Sequence, residues 1–527
     1  MYDILLRGAM VYDGTGAVGA RVDIAIKDGV IHEMGHIPNT EAARDSIDAG
    51  GLVVAPGFID VNNHSDTHWR LFSDPDLESL VRQGITTIVG GTCGSSIAPL
   101  INNQGFESIR KWIDVRSMNV NWRSVEELFV HLASRGMAIN FATLAGHSTI
   151  RRALIGDEHR PLSAEEREQA KDVLEVSMEE GALGASLGLA YAHARAADDK
   201  EIRAILRSVA QKGGIVSAHL RDETAAFDHA VREMIEHAKA SRTRLHLTHL
   251  KAMGKHNWEK FDGVLSRLVS ASKEGVSVSF DVFPYTYTGS VLYIFLPDWA
   301  SVGGRDAMLG RLRDASSRRQ IVAEMKKTPM EYENIQILSA TFLDRSMTKK
   351  SIAEIARARG VSPEEAVVEV LLSSEGRAIA RMDVLDEANV EAAIRHPLSM
   401  VASDGSGYSE SHKRMGQDVH PRCFGAFPRF LGRYVRKNKL LSWEEAIYKI
   451  TGFPAKRFGI RRRGVIKEGN YADVVVFDPE AIRDKATVRS PFRYAEGIEH
   501  LIVNGTFVLK NGKYESHNAG ALVRRGH

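Results

Sequence analysis

Four residues, Cys93, His219, His249 and Asp404, are of types that could do hydrolytic chemistry together. A thiolate and two neutral imidazoles are good zinc ligands, and a catalytic zinc takes three protein ligands while leaving a fourth position for water. Cys93, His219 and His249 supply that set. Asp404 supplies a carboxylate able to take a proton from water and return it to a leaving nitrogen. Singly, each has an ordinary explanation: a buried cysteine is usually a small hydrophobe, a lone histidine a core or surface residue, and Ala402-Ser403-Asp404-Gly405 an Asp-Gly turn. Close behind, His420-Pro421-Arg422 offers an arginine that could grip a carboxylate through two parallel hydrogen bonds, or simply face solvent.

Such residues act together only if the fold converges them. Short apolar runs at Phe58-Val61, Ile85-Val89, Ala138-Leu144, Gly184-Leu189, Ile215-His219, Leu245-His249, Val276-Phe280 and Met400-Asp404 alternate with amphipathic stretches. One of these helices has a capping box, Ser163 with Glu166. Eight βα units predict an α/β fold, a TIM-like (β/α)8 barrel over residues 56–464, whose active site lies at the C-terminal ends of its strands. Reading those ends in order gives Asn62 and His64, Cys93, Tyr191, His219, His249, Tyr285 and Asp404. Packing alone does not require His, Cys and Asp to recur there. His246, close before His249, is read as structural.

The two ends of the chain are different in kind. Strands flank Asp28-Gly29 near the start, and Asn504-Gly505 follows Leu501-Ile502-Val503 near the end, both strong hairpin signals. Residues 1–55 and 465–527 therefore predict one small β domain, a β-sandwich, assembled from both termini. Between 287 and 339 the alternation is lost, while Tyr293, Phe295, Leu296 and Trp299 add apolar bulk. An inserted lid over the barrel mouth explains this stretch, with a peripheral helical decoration as the alternative.

The 527 residues exceed what one hydrophobic core usually serves, and the composition, 43% hydrophobic and 26% charged, excludes extensive disorder. A formal net charge of +2 gives no field suited to nucleic acid or a membrane surface, so the expected partner is a small molecule. Cys93 and Cys423 are the two cysteines, which excludes a disulfide framework, and neither a signal peptide nor a transmembrane run is recognisable. A cytoplasmic location is expected.

The chain resembles the N-acyl-D-amino-acid deacylases (D-aminoacylases) of the metal-dependent amidohydrolase superfamily. Ala55-Pro56-Gly57-Phe58-Ile59-Asp60 and Ala472-Asp473-Val474-Val475-Val476-Phe477 carry the superfamily resemblance. Cys93-Gly94, Ala218-His219-Leu220-Arg221, Thr248-His249-Leu250-Lys251, Ala402-Ser403-Asp404-Gly405 and His420-Pro421-Arg422 carry the narrower one. The resemblance implies zinc on Cys93, His219 and His249, Asp404 as general acid and base, and Lys251, Tyr285 and Arg422 near the substrate carboxylate, with Tyr191 beside them. It implies hydrolysis of an N-acyl amino acid of D configuration. One departure stands out: the family has His-x-His after the first strand, and this chain has Asn62-Asn63-His64. An amide oxygen is a poor zinc ligand beside imidazole. About one zinc per chain is therefore expected, with Asn62 and His64 left as second-metal or water contacts. The rivals are a cyclic-amide (hydantoinase-like) or dipeptide hydrolase, and a catalytically silent binding or scaffold protein. The first is disfavoured because Ala185-Ser186-Leu187-Gly188-Leu189 lacks the lysine that bridges two metals in hydantoinases.

Overall fold

A computed structural model of the chain describes every residue except 111, 114, 116–117, 328–329, 340–344, 416–417, 516–517 and 527. The chain opens with five strands, β1 (Tyr2–Val11), β2 (Ala20–Lys27), β3 (Val30–Gly35), β4 (Ala43–Asp48) and β5 (Val53–Pro56). β2 and β3 turn on Asp28 and Gly29, both at positive φ (52° and 77°), as a two-residue turn that follows the strand twist requires.

The barrel follows: β6 (Phe58–Asp60), β7 (Ile85–Gly90), β8 (Asn140–Thr143), β9 (Ala145–Gly146), β10 (Gly184–Gly188), β11 (Ile215–His219), β12 (Arg244–Leu247) and β13 (Val278–Val282). An inserted antiparallel sheet then contains β14 (Thr288–Val291), β15 (Ile335–Ser339) and β16 (Ile379–Met382), before β17 (Ser399–Val401) returns to the barrel. All barrel pairs are parallel. β8 and β9 are one strand position broken at Leu144, the first half pairing with β7 and the second with β10. Closure between the last and first strands is made just beyond their ends. Asn63 pairs with Gly405, the His64 amide donates to the Gly405 carbonyl (2.8 Å), and the buried Asp60 carboxylate accepts from the Ser403 amide (2.9 Å) and from Asn63 Nδ2 (2.9 Å).

The seventh strand begins two residues later than its sequence pattern indicates. Val276 belongs to the preceding turn, where its amide caps the Ala271 carbonyl of the helix Phe261–Lys273 (3.0 Å). The insertion also runs past 339 to Met382. β16 is the central strand of its sheet, and helices Ile352–Arg359 and Pro363–Ser373 precede it. Those helices carry ordinary amphipathic and capping signals, so the sequence pattern there looks like resumed βα alternation.

The chain closes with β18 (Val474–Phe477), β19 (Ile498–Val503), β20 (Thr506–Lys510) and β21 (Lys513–Tyr514). Among the described residues these join β1–β5 in a nine-stranded sheet ordered β21-β20-β19-β18-β5-β1-β2-β3, with β4 on β1. Its Ile4, Leu6, Ile24, Val54, Val474 and Val476 share a core of their own. The two termini thus meet through β5 and β18. Among the described residues no helix is long and apolar enough to cross a membrane.

Candidate metal and catalytic site

Cys93, His249 and Asp404 each lie two or three residues past a barrel strand and each has left-handed φ: 52°, 37° and 48°. Non-glycine residues adopt that region rarely, and such conformations cluster where function fixes a side chain. The turn places each side chain over the mouth of the barrel instead of into its wall. His219 needs no such turn, being the last residue of β11. Close backbone approach helps to set Cys93: a Cβ on Gly94 would lie 2.5 Å from the Gly188 amide nitrogen, and one on Gly188 2.2 Å from the Cys93 carbonyl oxygen.

The ligand atoms of Cys93, His219 and His249 all lie within 4.8 Å of one another, and all three residues are buried. Cys93 Sγ is 3.5 Å from His249 Nε2. Zn–S and Zn–N bonds of roughly 2.3 and 2.0–2.1 Å at a tetrahedral angle separate sulfur and nitrogen by about 3.6 Å. The donor set and this spacing fit a zinc ion. The outer partners fit as well. His249 Nδ1 is 3.1 Å from Glu223 Oε1, the carboxylate contact that orients a ligating imidazole. Glu223 Oε2 is 3.7 Å from His219 Nε2. Burial pushes the Glu223 carboxyl up, but Lys251, His219 and His249 outweigh it and hold Glu223 well below the usual carboxylate range.

Asp404 faces the same space. Its Oδ1 is 3.0 Å from His64 Nε2 and its Oδ2 is 2.7 Å from Arg422 Nη1. Burial works against its charge, yet Arg422, His249 and His64 together hold Asp404 well below the usual range, so it is a carboxylate at neutral pH. Arg422 opens the helix Arg422–Arg429, its guanidinium lying 4.9 Å over the Phe283 ring. His420 steers it: His420 Nδ1 accepts from the Arg422 amide (3.0 Å) while Nε2 donates to the Tyr287 carbonyl (3.0 Å), tying this loop to the root of the insertion.

These side chains line a cavity of about 390 Å³ between barrel loops and insertion. His64, Cys93, Tyr191, His219, His249, Lys251, Asp404 and Arg422 reach it. Tyr191 packs its ring 5.2 Å from that of His219, and burial pushes its phenol up, keeping it neutral. Lys251 is engaged within the protein, with Nζ 2.5 Å from Glu223 Oε1 and 2.9 Å from His249 Nδ1. Its charge is met there.

Two residues named from the sequence do not reach the cavity. Tyr285 is fully buried, its ring under the Arg429 guanidinium (4.8 Å) and its hydroxyl against Gly425; the Arg429 side chain donates to the Pro284 carbonyl (2.7 Å), turning the loop so that Phe283 backs Arg422. Tyr285 therefore does not line the cavity. Asn62 is also fully buried, with Nδ2 3.5 Å from Asp281 Oδ1 and Oδ1 without a hydrogen-bond partner among the described residues. Asp281 and Glu223 are the residues that the sequence reading missed. Asp281 Oδ1 accepts from the His249 amide (2.9 Å) and its Oδ2 meets His246 Nε2 (2.9 Å), holding His249 in its turn. The signals for them are weak: an acid four residues past His219, and one inside an apolar strand.

A second cluster joins the exposed Asp199, the half-buried Glu233 and the buried His237. His237 Nδ1 accepts from Arg203 Nε (3.1 Å), which leaves the ring proton on Nε2, and Glu233 is taken by Arg221 (2.8 Å). Ligation there would break both.

A parallel eight-stranded barrel with Cys, two His and a carboxylate at its C-terminal face defines the class of metal-dependent amidohydrolases. The amidohydrolase family model matches residues 45–509, and the chain belongs to that family. It is 31% identical over 526 residues to D-aminoacylase from Alcaligenes xylosoxydans xylosoxydans, covering 99% of this chain and 98% of that protein. Among solved structures it is similar to the N-acyl-D-glutamate deacylase of Bordetella bronchiseptica complexed with zinc and a phosphonate mimic of the tetrahedral intermediate. The TM-score is 0.84 and the identity 30%, with 99% of each chain covered. It is likewise similar to a D-aminoacylase solved to define the role of its binuclear metal centre, described by one-metal activation and second-metal attenuation. There the TM-score is 0.83 and the identity 29%, over all of both chains.

Proposed function

We propose that this chain hydrolyses the amide bond of an N-acyl amino acid of D configuration, releasing the free amino acid and a carboxylic acid. The observation that carries the reading is the buried Cys93, His219 and His249 cluster sharing one cavity with the ionised Asp404. Cys93, His219 and His249 would hold a zinc ion, which would supply a Lewis acid for the amide carbonyl and acidify the attacking water. Asp404 accepts a proton from the attacking water as its oxygen bonds to the carbonyl carbon. It then gives that proton to the nitrogen as the C–N bond breaks. His64 and Arg422 hold the two carboxylate oxygens in place, and the guanidinium also offers a counter-charge for the substrate carboxylate. Glu223 and Asp281 orient His249.

One zinc per chain suffices for this reading, because Asn62 is held toward Asp281 and away from the cavity, and an amide oxygen is a weak ligand. The one-metal activation described for the similar D-aminoacylase supports it. A cytoplasmic, reducing setting would keep the Cys93 thiolate from oxidation. The D configuration rests on the relatives. A screen of paired N-acetyl-D- and N-acetyl-L-amino acids against the zinc-loaded protein tests it. Turnover of the D series alone is expected, and turnover of the L series alone, or of neither, contradicts the proposal.

A further inference from the structure

Below the strand ends that carry Cys93, His219 and His249, the barrel interior is split in character. Val61, Val89, Leu144, Met400 and Ala402 share one apolar cluster with Phe458. β12 and β13 present polar groups instead: His246 pairs with Ser279 across the two strands, and Asp281, two residues on, shares the face of Ser279. All three are fully buried. Hydrogen bonds join them into one thread. Arg457, in the helix Gly452–Phe458, donates from Nε to Ser279 Oγ (3.0 Å) and from Nη1 to Ser277 Oγ (2.8 Å), just ahead of β13. Ser279 Oγ is 3.0 Å from His246 Nδ1, and His246 Nε2 is 2.9 Å from Asp281 Oδ2. Asp281 Oδ1 then accepts from the His249 amide (2.9 Å). The thread thus runs from the N-terminal ends of the strands up to His249.

The polarity of the thread is set at both ends, because a guanidinium only donates and the Asp281 carboxylate accepts. Burial holds the His246 ring below its ordinary value, so it is neutral and carries one proton. That proton sits on Nε2, facing Asp281, while Nδ1 accepts from the Ser279 hydroxyl. With Oδ2 tied to His246, the carboxylate is held against rotation and Oδ1 stays aimed at the His249 amide. His249 needs that aim, since its φ of 37° is a left-handed conformation that persists only where the surroundings impose it. We infer that His246 is a positioning residue for the metal site: through Asp281 it holds the His249 turn, and Ser279 and Arg457 in turn hold His246. The inference rests on the zinc site of the deacylase reading, and His246 itself does not line the cavity.

The test measures zinc Kd by chelator competition on the full-length wild type, His246→Leu, His246→Gln and Ser279→Ala, with the melting temperature of each metal-free protein reporting the fold. Loss of a direct outer partner costs roughly 10–100-fold in metal affinity, and His246→Leu, one link further out, is expected to lose about tenfold. His246→Gln can still donate to Asp281 and accept from Ser279, and should stay within about threefold of wild type. Ser279→Ala should weaken zinc by about threefold, the scale of one neutral hydrogen bond. The visible absorption of the cobalt-substituted proteins, which reports ligand geometry, should shift in His246→Leu and return in His246→Gln. A purely structural role would lower the metal-free melting temperature and leave both metal readouts unchanged. Folded His246→Leu that binds zinc as wild type does, with an unchanged cobalt spectrum, overturns the inference, as does folded His246→Gln no better than His246→Leu. If His246→Leu does not fold, Ser279→Ala decides: a zinc Kd and cobalt spectrum both equal to wild type overturn it. Wild type that takes up no zinc overturns the metal site itself.

Discussion

Asp404 is chemically different from the other groups around the zinc position: it is not in the ligand cluster, yet it is ionised, buried and held at both oxygens by His64 and Arg422. Replacing it by asparagine keeps the shape and removes the proton acceptor. Asp404→Asn is therefore expected to retain zinc by elemental analysis and lose about 10²–10⁴-fold in kcat. Near-normal turnover in a zinc-loaded sample would remove Asp404 from proton transfer. At this scale much of the site was legible in the sequence, because Cys, His and Asp just past apolar strands have few packing reasons to recur. That Tyr285 lies outside the cavity lining was not legible, because strand-end counting gives the position of a residue but not the turn that follows. Arg429, far along the chain, donates to the Pro284 carbonyl within that turn. Glu223 and Asp281 support the ligands from second positions that no spacing rule marks.

Elements of the barrel are locked to each other by buried polar ties, of which Glu201 is the clearest. It starts the helix Asp199–Gln211 and reaches back to Arg151 Nη1 (2.7 Å) and His147 Nε2 (2.8 Å) on the helix His147–Ile155, and it accepts from the Leu162 amide (2.8 Å). Burial pushes its carboxyl up, but His147, Arg151 and the Leu162 amide outweigh this and depress it from 4.5 to about 2. A depressed carboxyl stabilises the fold above its unfolded pKa, and that contribution is lost as pH falls from about 4.5 toward 2. A carboxyl depressed that far contributes about 3 kcal/mol. Glu201→Gln leaves Arg151 buried without its carboxylate, so the melting temperature of the variant should fall well below wild type at pH 6, with the gap narrowing by pH 3. A gap that stays constant with pH would mean that the ion pair contributes nothing. The capping box of Ser163 and Glu166 and most strand cores were readable at this scale. The late start of β13 and the extension of the insertion to Met382 were not, because both depend on pairing partners distant in sequence.

For the whole molecule, the division of labour is that the barrel supplies Cys93, His219, His249 and Asp404, the loop after β17 supplies Arg422, and the insertion packs apolar side chains against Cys93. Both termini knit one sheet through β5 and β18, which fixes β6, the strand that begins directly after β5 and leads to His64. Alternating βα patterns and Asp-Gly and Asn-Gly turns made this architecture readable in outline. The closure of the barrel through Asp60, Asn63 and Gly405 was not, since it joins residues some 340 positions apart. The central claim is that one zinc on Cys93, His219 and His249 suffices for deacylation. Metal-stripped protein should be titrated with zinc while hydrolysis of N-acetyl-D-amino acids and bound metal are both measured. The account predicts that activity rises to a plateau at about one equivalent and that Cys93→Ala neither retains zinc nor reaches that plateau. Activity that appears only as a second equivalent binds, or zinc bound at full stoichiometry by Cys93→Ala, would contradict it.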